Sequence, residues 1–215
     1  MFQHAKNLVS RQIRRRRKDK LIAAGGAPVS WYDDAYGAVD EYTKPYSESR
    51  YLPVWEAICE RIPEGASVLE VGCGSAQFAK MIHDRAIPRT YVGFDFSRAA
   101  IELARKNLPG KRLEVDDART TDLFTSVDYD TVVCTEVLEH IVDDVPVIQR
   151  IPKGKRVLAT VPNFDYESHV RFFANTDEVR ARYGFLFESL DITEHCHAGD
   201  PIASHGIFFL MNGVR

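Results

Sequence analysis

The sequence has 215 residues, 45% hydrophobic and 27% charged, with a formal net charge of -3. That length can bury one core without disulfides or a structural metal, and the charge excludes a molecule-wide basic field for nucleic acid. No apolar run approaches the roughly 20 residues that span a bilayer, and no secretory h-region opens the chain. The expectation is a cytoplasmic protein with no stable membrane insertion, whose four unpaired cysteines (Cys59, Cys73, Cys134 and Cys196) are free thiols.

In chain order, residues 1–28 form a basic arm. Its stretch 11–20, RQIRRRRKDK, carries seven basic side chains and one acid. Such a run is first of all a solvated arm. It also suits an anionic surface, because each Lys or Arg near an anionic membrane contributes about 1 kcal/mol. Phe2, Leu8, Val9 and Ile13 offer the arm a modest apolar face. Gly25, Gly26 and Pro28 end it. Residues 29–66 read as an aromatic helical cap holding Trp31, Tyr32, Tyr36, Tyr42, Tyr46, Tyr51 and Trp55. Tyr51, Leu52, Trp55 and Ile58 fall near a 3.6-residue period, which predicts a helix over 48–62. Pro63 and Gly65 stop it.

Residues 67–215 alternate short apolar runs with amphipathic ones. Strands are predicted at 67–71, 91–95, 112–115, 129–135 and 156–161, and helices at 77–85, 97–107 and 145–151. This alternation implies βαβ units and a parallel sheet. Two further strand-like runs, 189–195 and 207–212, let the sheet close with an antiparallel edge. The predicted class is therefore α/β: a doubly wound, seven-stranded, mostly parallel sheet with an N-terminal helical extension.

The most specific signal is the stretch Val68-Leu69-Glu70-Val71-Gly72-Cys73-Gly74-Ser75-Ala76-Gln77-Phe78. An apolar strand enters a Gly-x-Gly turn that opens a helix, and the missing side chains let a ligand approach the backbone. The next strand ends in Asp95, 21 positions after Gly74, where a carboxylate accepts hydrogen bonds from ribose hydroxyls. A dinucleotide site is disfavoured. Gln77 stands where the last glycine of a diphosphate loop belongs, and Glu70 would repel a pyrophosphate.

These residues resemble the class I S-adenosylmethionine-dependent methyltransferases over about residues 67–162, with Ala76 in place of a third glycine that mainly serves helix packing. The resemblance implies S-adenosyl-L-methionine as cofactor, with Glu70 near its methionine part, Asp95 on the ribose and Phe96 near the adenine. Asp117 and Ala118 would meet the adenine amino edge, with Asp116 as an alternative to Asp117. Gly72, Cys73, Gly74, Ser97 and Thr135 complete the expected cofactor contacts.

The fourth strand runs into Thr135-Glu136-Val137-Leu138-Glu139-His140. Ligands of open α/β sheets bind beyond the carboxyl ends of strands, so chemistry is expected here. At i, i+3 and i+4, Glu136, Glu139 and His140 would share one face of a helical turn. Two roles compete. His140 would take a proton from a hydroxyl acceptor, for which an imidazole is suited at neutral pH. Alternatively, Glu136, Glu139 and His140 would hold a divalent metal such as Mg, with His169 as a further ligand. E-V-L-E-H resembles both small-molecule O-methyltransferases and metal-assisted RNA ribose 2′-O-methyltransferases. The catalytic candidates are His140, Glu136 and His169.

Tyr32, Tyr36, Tyr42 and Tyr46 are candidate substrate-binding residues, with flat faces and hydroxyl tips. Arg171, Arg180 and Arg182, amid the aromatics of 163–188, are read as a second wall able to grip an anionic or carbohydrate ligand. His195 and His197 alternate on a predicted strand and have no partner pair, so they read as structure. The expected function is O-methylation of a small molecule or glycan precursor. The RNA ribose methyltransferase and a non-catalytic cofactor-binding protein are the alternatives.

Overall fold

The computed structural model describes residues 15–200 and 203–215. Arg11, Arg14 and the apolar face expected of the arm lie outside the described residues. Seven strands are present: β1 (Ala66–Val71), β2 (Pro88–Asp95), β3 (Arg112–Val115), β4 (Thr131–Cys134), β5 (Arg156–Pro162), β6 (Ser189–Cys196) and β7 (Ile207–Val214). They form one sheet in the order β3-β2-β1-β4-β5-β7-β6. All neighbours are parallel except β7, which runs antiparallel to both β5 and β6. This is the doubly wound, mostly parallel sheet expected from the alternation.

Side chains alternate across the strands, so β1 sends Val68 and Glu70 to one face and Leu69 and Val71 to the other. On the first face lie α3 (Leu52–Cys59), α4 (Gln77–Asp84) and α5 (Arg98–Asn107), whose Trp55, Ile58, Phe78, Ile82 and Ile101 pack with Val68. The second face packs α6 (Leu123–Ser126), α7 (Asp144–Gln149) and α8 (Thr176–Tyr183) through Phe124, Ile148 and Tyr183. The order reverses between β1 and β4. Ligand crevices of open sheets form at such a switch point, beyond the strand carboxyl ends.

The single helix expected over 48–62 is divided. A 3-10 turn, Tyr46–Glu48, is followed by α3. The Glu41 carboxylate accepts from the Ser49 hydroxyl at 2.8 Å and from the Arg50 N–H at 3.1 Å, which diverts the chain. Pro53 then opens α3, a position where its missing N–H has no helical partner anyway.

Before them, residues 15–23 form helix α1, and Val29–Ala38 forms α2. The basic arm spends part of its charge on the domain itself. Arg17 and Lys18 each pair with Asp165 at 3.1 Å, and Lys18 lies 4.3 Å from the centre of the Phe172 ring. Among the described residues, no helix is long and apolar enough to cross a membrane.

Candidate functional site

One cavity opens at the switch point, roofed by α2 and the segment after it. Its first end is built by the turn after β1. Gly72 and Gly74 have φ of +68° and +52°, and a Cβ on Gly74 would lie 2.8 Å from the Tyr36 hydroxyl. Only glycine therefore lets the cap close down on this turn. Ala76, at the third glycine position, also has a left-handed backbone, with φ of 64°. Besides its role in helix packing, this position asks for a backbone conformation that costs an alanine roughly 1 kcal/mol.

Glu70 is buried and accepts the Tyr91 hydroxyl at 2.6 Å. Gly93, paired with Glu70 across β1 and β2, makes the room, since a Cβ there would lie 2.3 Å from that hydroxyl. Burial pushes the Glu70 carboxyl up to about 8, against the pull of the Tyr91 bond. Asp95 takes the Gly74 N–H at 3.0 Å and the Ser97 N–H at 2.9 Å, and burial pushes it up to about 6.

Phe96, Asp116, Asp117, Ala118 and Thr135 line the same cavity, with Cys73. Ser97 does not. Its hydroxyl caps α5 at the Ala100 N–H, 3.1 Å away, and donates to Asp33 of α2 at 2.6 Å. Asp117 is forked by Arg119, with bonds of 2.6 to 3.0 Å. Gln77, absent from the expected contacts, donates to the Glu41 and Lys44 carbonyls at 2.9 and 2.7 Å and so ties α4 to the cap.

The second end lies beyond β4. Glu136, Glu139 and His140 do not share a helical face. Glu136 has a φ of 55°, and the 3-10 turn covers only Leu138–His140. Thr160 of β5 explains the reversal. Its hydroxyl accepts the Glu136 N–H and donates to the Glu136 carboxylate, both at 2.9 Å. Both Glu139 oxygens are buried without a fixed donor among the described residues, facing the Glu136 carboxyl, with which Glu139 can share a proton, and His140 Nε2 at 3.8 Å. Burial and the neighbouring Glu136 raise the Glu139 carboxyl well above the usual range.

The His140 and His169 rings meet edge to face, 4.8 Å between centres. Burial, then repulsion from His169, holds His140 down at about 3, and burial holds His169 down at about 4. Both imidazoles are therefore neutral. Ligating atoms of Glu139, His140 and His169 lie within 4.8 Å of one another, the one such cluster among the described residues.

Of the cap tyrosines, Tyr32, Tyr36 and Tyr42 line the cavity. Tyr46 packs instead against the core around α3 and α4. The arginines expected to form a second wall turn away from the cavity. Asp144, fully buried, gathers Arg171 at 3.1 Å, Arg182 at 2.9 Å and the Tyr183 hydroxyl. Arg171 also donates to the carbonyls of Leu138, Ile141 and Val142, fastening the loop that carries Glu139 and His140. Arg180 donates to the Leu190 carbonyl. The wall is formed by Phe164, Tyr166, Ser168 and His169. His197 is stacked on Phe208, 4.5 Å between centres, as a structural side chain.

Residues 69–154 match the family model of a methyltransferase domain. A ubiquinone biosynthesis O-methyltransferase of Alkalilimnicola ehrlichii is 32% identical over 135 residues, 60% of this chain and 52% of that protein. The bifunctional methionine biosynthesis protein MetXA/MetW of Rhodopirellula baltica is 28% identical over 118 residues, 52% of this chain and 19% of that protein. The chain thus spans about half the length of these curated relatives or less. Among solved structures, the complex between the Haloferax volcanii Trm112 methyltransferase activator and a methyltransferase superposes with a TM-score of 0.67. It is 15% identical and covers 85% of this chain and 96% of that one. The matched stretch is thus similar to a methyltransferase domain, and the fold is the one seen in solved methyltransferases.

Proposed function

We propose that the chain transfers a methyl group from S-adenosyl-L-methionine to an oxygen of a small-molecule or glycan-precursor acceptor. One observation carries this reading: a single cavity joins the glycine turn, Glu70 and Asp95 to Glu136, His140 and His169. The first end fits the cofactor. The glycines let Val137 and Tyr36 close on the turn, and Glu70 has one oxygen with no protein partner among the described residues, suited to a cationic amine. Asp95 would take the ribose hydroxyls and Ala118 would lie against the base.

Bound cofactor supplies an electrophilic methyl group, so the protein has to align donor and acceptor and exclude water. Tyr32, Tyr36 and Tyr42 close the cavity from above. His140 Nδ1 lies 3.2 Å from the Ser168 carbonyl. That bond requires the proton on Nδ1 and leaves Nε2 to accept one. A base held this far down gains its proton as the methyl moves, not beforehand.

The Glu139 carboxyl supports the competing role, in which His140 Nε2 would bind a cation instead of accepting a proton. Glu139, His140 and His169 would hold a divalent cation, which would lower the pKa of an acceptor hydroxyl. Two neutral imidazoles and a carboxylate without a fixed donor are a suitable ligand set.

The test is incubation with methyl-labelled cofactor and fractionated extract, with and without a chelator, followed by identification of the labelled product. Methylation of a small acceptor is expected, and its loss with chelator supports the cation. Unaltered turnover by His140→Ala removes the base. Labelled RNA, with binding that falls steeply with salt, would point to the ribose reading. Cofactor binding without any labelled product would point to a non-catalytic protein.

A further inference from the structure

Two cationic side chains line the cavity among the described residues, Arg50 and Arg119. Arg119 is neutralised by the Asp117 fork. Arg50 has no carboxylate oxygen within ion-pair distance among the described residues. Its Nη2 donates to the Tyr51 hydroxyl at 2.9 Å, and its guanidinium lies 4.9 Å from the centre of the Tyr51 ring. Its Nε is buried without a partner among the described residues. A guanidinium is always charged, and this one is half-buried with the Glu41 carboxylate on its backbone N–H rather than paired with its fork.

The backbone shows that this placement is fixed. The Arg50 N–H is held by the Glu41 carboxylate, and its carbonyl accepts the Ala198 N–H at 2.9 Å. The cap and the β6–β7 connection therefore clamp residue 50 from both sides. Tyr42, Tyr51, Phe164 and Tyr166 line the same cavity and offer apolar and aromatic surface beside the charge.

We propose that Arg50 anchors a carboxylate on the methyl acceptor, so that the acceptor is a small molecule, aromatic in part, with one negative charge. This inference rests on the methyl-transfer reading and names the acceptor class for it. A carboxylate matches the planar fork of a guanidinium. One unpaired cation suits one negative charge better than a phosphate, which carries close to two.

The experiment is calorimetric titration of the protein, saturated with S-adenosylhomocysteine, with protocatechuate and with catechol, two diols that differ by one carboxylate. Protocatechuate is expected to bind at least about tenfold more tightly, the equivalent of one charge-assisted hydrogen bond. Arg50→Gln should abolish that preference, and Arg50→Lys should keep part of it. Catechol binding as tightly as protocatechuate, binding of neither diol, or a preference that survives Arg50→Gln would each overturn the anchor. The wild-type comparison stands even if a variant folds poorly. The product titration separates the two readings. If S-adenosylhomocysteine itself does not bind, methyl transfer falls. If it binds and the acid is not preferred, only the anchor falls.

Discussion

The two ends of the cavity differ in how far the protein satisfies its own polar groups. Around the glycine turn, Asp95 accepts two backbone N–H groups, Asp116 accepts the Thr121 hydroxyl and the Asp117 N–H, and Asp117 is forked by Arg119. Among the described residues, Ser75 Oγ and one oxygen of Glu70 are the exceptions. At the second end, the Arg50 Nε, both Glu139 oxygens and the Ser168 Oγ are buried without fixed partners among the described residues. Buried polar groups in folded proteins are nearly always bonded, so each orphan calls for an explanation. Backbone sets the first end, which is nearly complete in the protein alone. Side chains that still lack partners set the second, and a ligand would complete them.

The strongest way to break this contrast is to free the second end from its mooring. Arg171→Ala leaves the buried Asp144 short of a partner and three carbonyls without their donor. It should lower unfolding free energy by about 3–5 kcal/mol, as removal of one member of a buried ion pair does. Urea titration measures this. Arg171→Lys keeps the charge without the fork, so kcat should fall while S-adenosylhomocysteine affinity holds. Equal loss of both would erase the distinction between the ends.

Asp95→Asn attacks the first end. It should weaken S-adenosylhomocysteine binding about a hundredfold, the equivalent of one or two hydrogen bonds to a charged group, with little change in thermal stability. Normal affinity in a titration would remove Asp95 from the cofactor site.

Glu139→Gln separates function from stability. The wild-type carboxyl is raised, so the folded state resists its ionisation as pH climbs above the unfolded value of 4.5. The amide carries no such cost. The variant should be about 1–2 kcal/mol more stable near neutral pH, the scale of an unsatisfied buried group, and turnover should collapse. A less stable variant would mean that Glu139 already has what it needs.

The first end was the more legible in sequence, for the same physical reason. Glu70, Gly72, Gly74 and Asp95 stand at spacings that backbone geometry dictates, and the strands and helices of the sheet follow from hydrophobic alternation. Glu136 was placed on a helical face because i, i+3, i+4 spacing assumes regular backbone. Thr160, 24 residues away, reverses the chain there instead. Arg171 and Arg182 were read as ligand-facing, since their shared partner Asp144 lies 27 and 38 residues off and nothing local marks it. Arg50 was not singled out, because only the folded cap shows that, among the described residues, no carboxylate meets its fork. Tyr46 looked like its neighbouring tyrosines, and the 3-10 turn at Tyr46–Glu48 takes it out of the cavity.

Glu70 gives a smaller effect at the first end. Its carboxyl stands at about 8 when folded, against 4.5 for the ordinary group. A raised carboxyl favours the folded state below the ordinary value, and that support is lost as pH rises from about 4.5 to about 8. A cationic amine beside Glu70 should draw its pKa back down. Binding of S-adenosylhomocysteine at pH near 7 should then release a proton, seen as a buffer-dependent enthalpy, and Glu70→Gln should abolish the release.

The smallest effect is expected where the arm meets the domain. Gly25 and Ala27, which join α1 to α2, line the cavity, and a Cβ on Gly26 would lie 2.9 Å from the His140 carbonyl. The arm therefore presses on the second end, where Arg17 and Lys18 pair with Asp165. The Arg17 side chain is 39% exposed, and an ion pair so open to water contributes at most about 1 kcal/mol, less in salt. Asp165→Asn should thus leave the melting temperature almost unchanged while raising hydrogen exchange of α1. Acceptor KM should rise in low salt more than S-adenosylhomocysteine affinity falls, because the latch sits over the end that side chains shape. A shift in cofactor affinity alone would place the arm over the other end.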